Sequence, residues 1–243
     1  CKLMKININN VDINYIQYGS GDDILLLHGW GQNIEMMKML GDKFSDRFRI
    51  TIIDFPGFGN SSRLTSPWNM NDYVNMLEEF VKEVKIKKPI IIGHSFGGRV
   101  AIKYSSRNPI KKLVLFGSPC IRHTNNSFKV KVFKFLKVLP IIGEIGEFMK
   151  KFIGSDDYRN ATPVMRETLV NIVNEDLSKY AMEIEEPTLL MWGDNDLAEP
   201  VENARELEKI MLDAALIVLP GSHYMYIEQL PSVEKILNEF FGG

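Results

Sequence analysis

Gly93-His94-Ser95-Phe96-Gly97 sets a hydroxyl between glycines where two differently patterned stretches meet. Pro89-Ile90-Ile91-Ile92 reads as a buried strand, and Phe96 to Arg107 reads as a helix carrying Ala101, Ile102 and Tyr104. Strand, turn and helix in that order form the context a G-x-S-x-G nucleophile elbow requires. The glycines are needed for steric reasons. Side chains at Gly93 and Gly97 would collide with the adjoining strand and helix, while the serine occupies a strained turn. Gly98 allows closer packing still. Ser95 is the expected nucleophile.

A serine hydroxyl attacks poorly until a base removes its proton, and the base needs a third group to fix its tautomer. The chain has four histidines. His94 adjoins Ser95, but a sharp elbow sends neighbouring side chains in different directions. His28 sits in a glycine turn and reads as structural, and His123 has no supporting context. His223 lies in Pro220-Gly221-Ser222-His223, just past the last expected strand and at the same sheet edge as Ser95, so it is the expected base. Two carboxylates, Asp194 and Asp196, follow the strand Thr188 to Trp192. Asp196 is the expected acid, because a turn at Gly193 returns the third residue toward the base, and Asp194 reads as a turn former. Gly117-Ser118-Pro119, after the preceding strand, offers no carboxylate.

The oxyanion of an acyl-transfer intermediate is held by backbone N–H groups. Phe96, at the start of its helix, supplies one, helped by the helix dipole. The other is expected from Leu27-His28-Gly29-Trp30-Gly31, where flanking glycines let the Trp30 N–H turn inward. Trp30 could also wall an acyl pocket.

These residues need a scaffold that gathers strand ends. Strands are expected at Ile13 to Tyr18, Ile24 to Leu27, Arg49 to Ile53, before Ser95, and at Lys112 to Phe116, Thr188 to Trp192 and Ala215 to Leu219. Helices are expected at Met36 to Phe44, Tyr73 to Val84, Glu202 to Met211 and Val233 to Phe241. Alternating strands and helices imply an α/β class with a mostly parallel sheet covered on both faces. Residues 121–185 break the alternation. Phe128, Val132, Phe135, Leu136 and Leu139 share one helical stripe, with Lys131, Lys134 and Lys137 toward the other side, and Met165 to Leu177 is helical again. This segment reads as an inserted helical lid over the strand ends, lining a lipophilic pocket, with residues 1–120 and 186–243 as the core. Plain packing against the core and membrane-surface contact through the basic face are the alternatives.

Hydrophobic residues make up 45% of the 243 and charged residues 25%, as in a soluble globular domain, and the net charge of -2 argues against nucleic-acid binding. No apolar run matches a membrane span or secretory signal. Two cysteines, Cys1 and Cys120, make neither a disulfide framework nor a zinc site, so a cytoplasmic setting is expected. Met4-Lys5-Ile6 reads as a natural start, with the three residues before it added or left from something longer. A lipoprotein-type amino-terminal Cys1 is the alternative. Cys120 follows a strand near the site and reads as a buried filler, or as a thiol close to the pocket, with no catalytic role.

Taken together, His28-Gly29-Trp30-Gly31, Asp54-Phe55-Pro56-Gly57-Phe58-Gly59, Gly93 to Gly98, Trp192-Gly193-Asp194-Asn195-Asp196 and Gly221-Ser222-His223 closely resemble the α/β-hydrolase superfamily over nearly the whole chain. The order Ser95, Asp196, His223 is that superfamily's nucleophile, acid and base. The resemblance implies an eight-stranded, mostly parallel sheet flanked by helices, a cap inserted after the sixth strand, no cofactor, and a structural rather than catalytic Asp54 loop. The His-Gly-Trp-Gly turn and Ser118-Pro119-Cys120 resemble bacterial carboxylesterases that cleave pimeloyl esters in biotin synthesis. Met165 to Leu177 resembles uncharacterised bacterial hydrolases. Serine at the elbow disfavours haloalkane dehalogenases and epoxide hydrolases, which use aspartate there. The expected activity is a serine carboxylesterase acting on small or medium acyl esters through an acyl-enzyme, with a small lipophilic ester as substrate. The alternatives are a carbon–carbon bond, thioester or peracid hydrolase with the same triad, and a ligand receptor that retains it.

Overall fold

The computed structural model describes residues 2–123 and 162–242. Its eight strands are β1 (Met4–Ile8), β2 (Val11–Gly19), β3 (Asp22–Leu27), β4 (Phe48–Ile53), β5 (Ile90–His94), β6 (Lys112–Phe116), β7 (Thr188–Gly193) and β8 (Ala214–Leu219). They form one sheet in the order β1-β2-β4-β3-β5-β6-β7-β8. β1 pairs antiparallel with β2, and β2 antiparallel with β4, while every pairing from β4 to β8 is parallel.

Period-two alternation sends successive side chains of the central strands to opposite faces. Leu25 and Leu27 of β3, Ile91 of β5 and Leu113 and Leu115 of β6 join one core cluster. Ile24, Leu26, Ile90, Ile92, Val114 and Phe116 join the other. Helices α2 (Met70–Glu83), α3 (Phe96–Ser105) and α6 (Val201–Ile210) cover the first face. Helices α1 (Ile34–Gly41), α7 (Met225–Glu228) and α8 (Leu230–Phe241) cover the second. Asn69 and Asp72 close a reciprocal capping box that starts α2 at Met70, three residues ahead of the expected Tyr73. Its buried face carries Tyr73, Val74, Leu77, Phe80 and Val81, each such side chain contributing roughly 1.5–3 kcal/mol.

β1 is the element that the apolar runs did not mark. Met4, Ile6 and Ile8 alternate with Lys5 and Asn7, an edge pattern short enough to pass for a chain start. Between β6 and β7 the described residues form α4 (Pro163–Asn174) and α5 (Ser178–Ala181). Leu169, Ile172, Leu177, Ala181 and Ile184 belong to the first core cluster. The Phe128–Leu139 stripe and its lysines lie outside the described residues, as does Cys1.

Parallel pairing brings the carboxyl ends of the central strands level. Leu27 pairs with Gly93, His94 with Phe116, Phe116 with Met191, and Gly193 with Leu219. Ser95 follows β5, Asp196 follows β7 and His223 follows β8, so all three lie at this one edge.

Candidate active site

Ser95 occupies the turn between β5 and α3 with φ 51° and ψ −112°, a conformation that strains any residue bearing a Cβ. The turn is held from both sides. Ser95 N–H donates to Phe116 O at 2.9 Å, and Arg99 N–H donates to Ser95 O at 3.1 Å. A Cβ on Gly97 would lie 2.2 Å from Leu27 O, and one on Gly93 would lie 2.6 Å from Gly98 Cα. Glycine is therefore what lets α3 start against the ends of β3 and β5. Ser95 is buried, and its Oγ makes no hydrogen bond.

The acid and base expected from the sequence meet. His223 Nδ1 lies 2.8 Å from Asp196 Oδ2, with both side chains buried. The other carboxylate oxygen, Oδ1, accepts the N–H groups of Ala198 at 3.0 Å and Glu199 at 2.9 Å, which winds the β7–α6 turn around it. Asp196 can therefore accept the Nδ1 proton and leave Nε2 as the basic nitrogen of a neutral imidazole. Gly117, at φ 48° after β6, is the floor beneath the pair. A Cβ there would lie 2.9 Å from both Asp196 Oδ2 and His223 Nδ1. Asp194 is exposed and accepts from Gly221 N–H at 3.0 Å, the turn-forming role expected of it.

His94, the neighbour of Ser95, anchors the loop that carries His223. His94 Nε2 donates to His223 O at 2.9 Å, and the two imidazole rings lie 4.8 Å apart. That bond makes His94 Nδ1 the acceptor for Gln32 Nε2 at 3.2 Å. Burial holds His94 well below its ordinary pKa, consistent with a neutral ring. The sequence reading set His94 aside as a base and missed this anchoring contact. Its position inside the elbow was the available signal. His28 is structural as expected: Nδ1 donates to Gly29 O at 2.7 Å, and Nε2 accepts from Phe55 N–H at 2.9 Å.

The Phe96 N–H opens α3, and the Trp30 N–H lies in the turn after β3. Neither donates to a carbonyl or side chain among the described residues. The Trp30 and Phe96 rings pack edge to face with centroids 5.5 Å apart. Both line a cavity of about 260 Å³, together with Cys120, Leu169, Ile172 and Leu197. Ser95, Asp196 and His223 are not in its lining. The cavity adjoins them through Phe96, Trp30 and the turn after Asp196. Burial pushes the Cys120 thiol up to about 12, which leaves little thiolate near neutral pH. Two buried charged side chains in the wall, Arg99 and Glu199, were not anticipated from the sequence. They sit in a helix and a turn whose burial only the assembled fold makes apparent.

The family model for the α/β-hydrolase fold matches residues 23–132, from β3 through the elbow and beyond β6. Over that stretch the chain matches the α/β-hydrolase family, and its sheet has that fold. The similarity reaches more than one chemistry. A pimeloyl-[acyl-carrier protein] methyl ester esterase from Aliivibrio fischeri is 24% identical over 91% of this chain and 95% of its own length. A soluble epoxide hydrolase from Corynebacterium is 23% identical over 97% of this chain and 86% of its own. An esterase structure from Exiguobacterium antarcticum superposes with a TM-score of 0.84 at 18% identity, covering 97% of both chains. Among the described residues no helix is long and apolar enough to cross a membrane.

Proposed function

We propose that this α/β hydrolase is a serine carboxylesterase that cleaves small or medium acyl esters through an acyl-enzyme. The observation that carries the reading is the 2.8 Å Asp196–His223 hydrogen bond at the strand edge where a strained, buried Ser95 holds a hydroxyl that makes no hydrogen bond. Ser95 Oγ attacks the ester carbonyl, and His223 Nε2 takes the hydroxyl proton as the bond forms. Asp196 accepts from Nδ1 and stabilises the imidazolium that results. The N–H groups of Phe96 and Trp30 hold the tetrahedral oxyanion. Collapse of the intermediate expels the alcohol, which takes its proton from His223, and a water activated by the same imidazole then hydrolyses the acyl-enzyme.

The largely apolar cavity beside Trp30 and Phe96 supports a lipophilic acyl group. Residues 121–185 are proposed to cap it. Leu169 and Ile172, from the described part of that segment, contribute to its lining. A cytoplasmic setting is part of the same reading, with Cys120 a free buried thiol. The test is kinetic. Ser95→Ala should lower kcat on short p-nitrophenyl esters by at least about a thousandfold while leaving the thermal unfolding transition in place. Activity near that of the parent would remove Ser95 from the mechanism. A panel of matched esters, thioesters and vinylogous diketones distinguishes ester cleavage from the other bonds such a triad can break.

A further inference from the structure

The cavity wall is not uniformly apolar: Arg122 and Glu175 stand at its more exposed part, and its two buried charged residues, Arg99 and Glu199, differ in how far they are committed to the protein. Arg99 is 5% exposed, and its guanidinium is held by main-chain carbonyls. Nη1 donates to Pro119 O at 3.0 Å, and Nη2 donates to Ile172 O at 2.8 Å and to Glu175 O. Its Nε is enclosed without a partner. Arg99 therefore clamps α4 to α3 and lends the wall a fixed positive charge, with no side-chain carboxylate bonded to it.

Glu199 is 8% exposed, and it is not fully used. Its Oε1 accepts from Asn203 Nδ2 at 2.9 Å. Oε2 receives no hydrogen bond from any described residue, and Glu199 is part of the cavity wall. A buried carboxylate with a free oxygen is costly unless something hydrogen-bonds to it. The backbone of the same residue is tied to the site, through Glu199 N–H to Asp196 Oδ1 and through Trp192 Nε1 to Glu199 O at 2.9 Å. The carboxyl thus stands at a fixed offset from the acid of the proposed triad.

We propose that Glu199 is the specificity-determining residue of this cavity, its free Oε2 accepting a hydrogen bond from a hydroxyl carried on the acyl chain of the substrate. This deepens the esterase reading and rests on it. A neutral donor fits better than either charged alternative. Above about pH 7, where the Glu199 carboxyl ionises, a substrate carboxylate would face its negative charge, and an ammonium would enter the field of Arg99 in the same wall. The unhydrogen-bonded oxygen is the feature a plain alkyl chain would leave unsatisfied, and sites with such a buried polar group discriminate against analogues lacking the matching donor.

The experiment compares kcat/KM, at a pH well above neutral so that Glu199 is ionised, for p-nitrophenyl alkanoates and their hydroxylated counterparts, with the hydroxyl moved stepwise along the acyl chain. The parent protein should prefer one hydroxy ester by about tenfold or more, the worth of one hydrogen bond to a charged acceptor. Glu199→Leu should abolish that preference. Glu199→Gln, which keeps the shape and offers a neutral acceptor, should reduce it severalfold and serves if the leucine variant does not fold. No preference at any hydroxyl position, or a preference that survives in both variants, overturns the proposal. A parallel arm titrates the matched alkanamides and hydroxyalkanamides into Ser95→Ala protein by calorimetry. Tighter binding of a hydroxyalkanamide that requires Glu199 supports the site even if ester turnover proves absent, so failure of the esterase reading and failure of the Glu199 reading are told apart.

Discussion

Glu199 ties the proposed chemistry to a stability measurement. Burial raises its pKa from 4.5 to about 7, partly opposed by the Asn203 hydrogen bond, with Asp196 raising it further and His223 and Arg99 lowering it. A carboxyl whose folded-state value exceeds its unfolded value binds protons more tightly when folded. Its contribution is fully present below the unfolded value and is lost as pH rises through the folded one. The protein should therefore lose stability through this group on going from about pH 4.5 to about 7, by an amount on the order of 2 kcal/mol. Glu199→Gln lacks this slope and should gain on the parent as pH rises, as measured by urea midpoints at acid and neutral pH. Parallel curves for the two proteins would show that the carboxyl is not buried as described. At this scale much was legible in advance. Ser95, Asp196 and His223 could be chosen because few residues of the needed types follow a strand. The anchoring by His94 and the free carboxyl oxygen of Glu199 could not, because each depends on which neighbour a side chain faces.

At the scale of elements, the site is made by strand ends and by the glycines that let them approach. The turn holding Ser95 survives because α3 begins pressed against the carbonyls that end β3, with Gly97 at the contact. Gly97→Ala forces a methyl group against the Leu27 carbonyl and should destabilise the fold by roughly 1–3 kcal/mol, read as a lowered denaturant midpoint. An unchanged midpoint would mean that the close approach of α3 to β3 is not needed. Apolar runs identified seven of the strands, six of them in the parallel part of the sheet, where buried strands are continuously hydrophobic. They missed β1, where an antiparallel edge position requires only alternation. Helix starts were displaced by a few residues where a cap, such as Asn69 with Asp72, lies ahead of the first periodic apolar residue.

Across the whole molecule, the sheet order places the ends of β3, β5, β6, β7 and β8 side by side, so residues far apart in sequence share one edge. Alternating strands and helices made that arrangement foreseeable, and the match of the α/β-hydrolase model over residues 23–132 agrees with it. The cavity was less foreseeable, because its wall draws on the turn after β3, on α3 and α4, and on the turn after β7 at once. Its size and its two buried charges appear only when these pieces are assembled. The most direct test of the account is to react the protein with a fluorophosphonate and locate the adduct by peptide mass spectrometry. One adduct on Ser95 is expected, lost in Ser95→Ala and formed far more slowly in His223→Ala. A protein that stays unmodified, or a label on another residue that persists in Ser95→Ala, would contradict the proposal that Ser95 is the activated nucleophile.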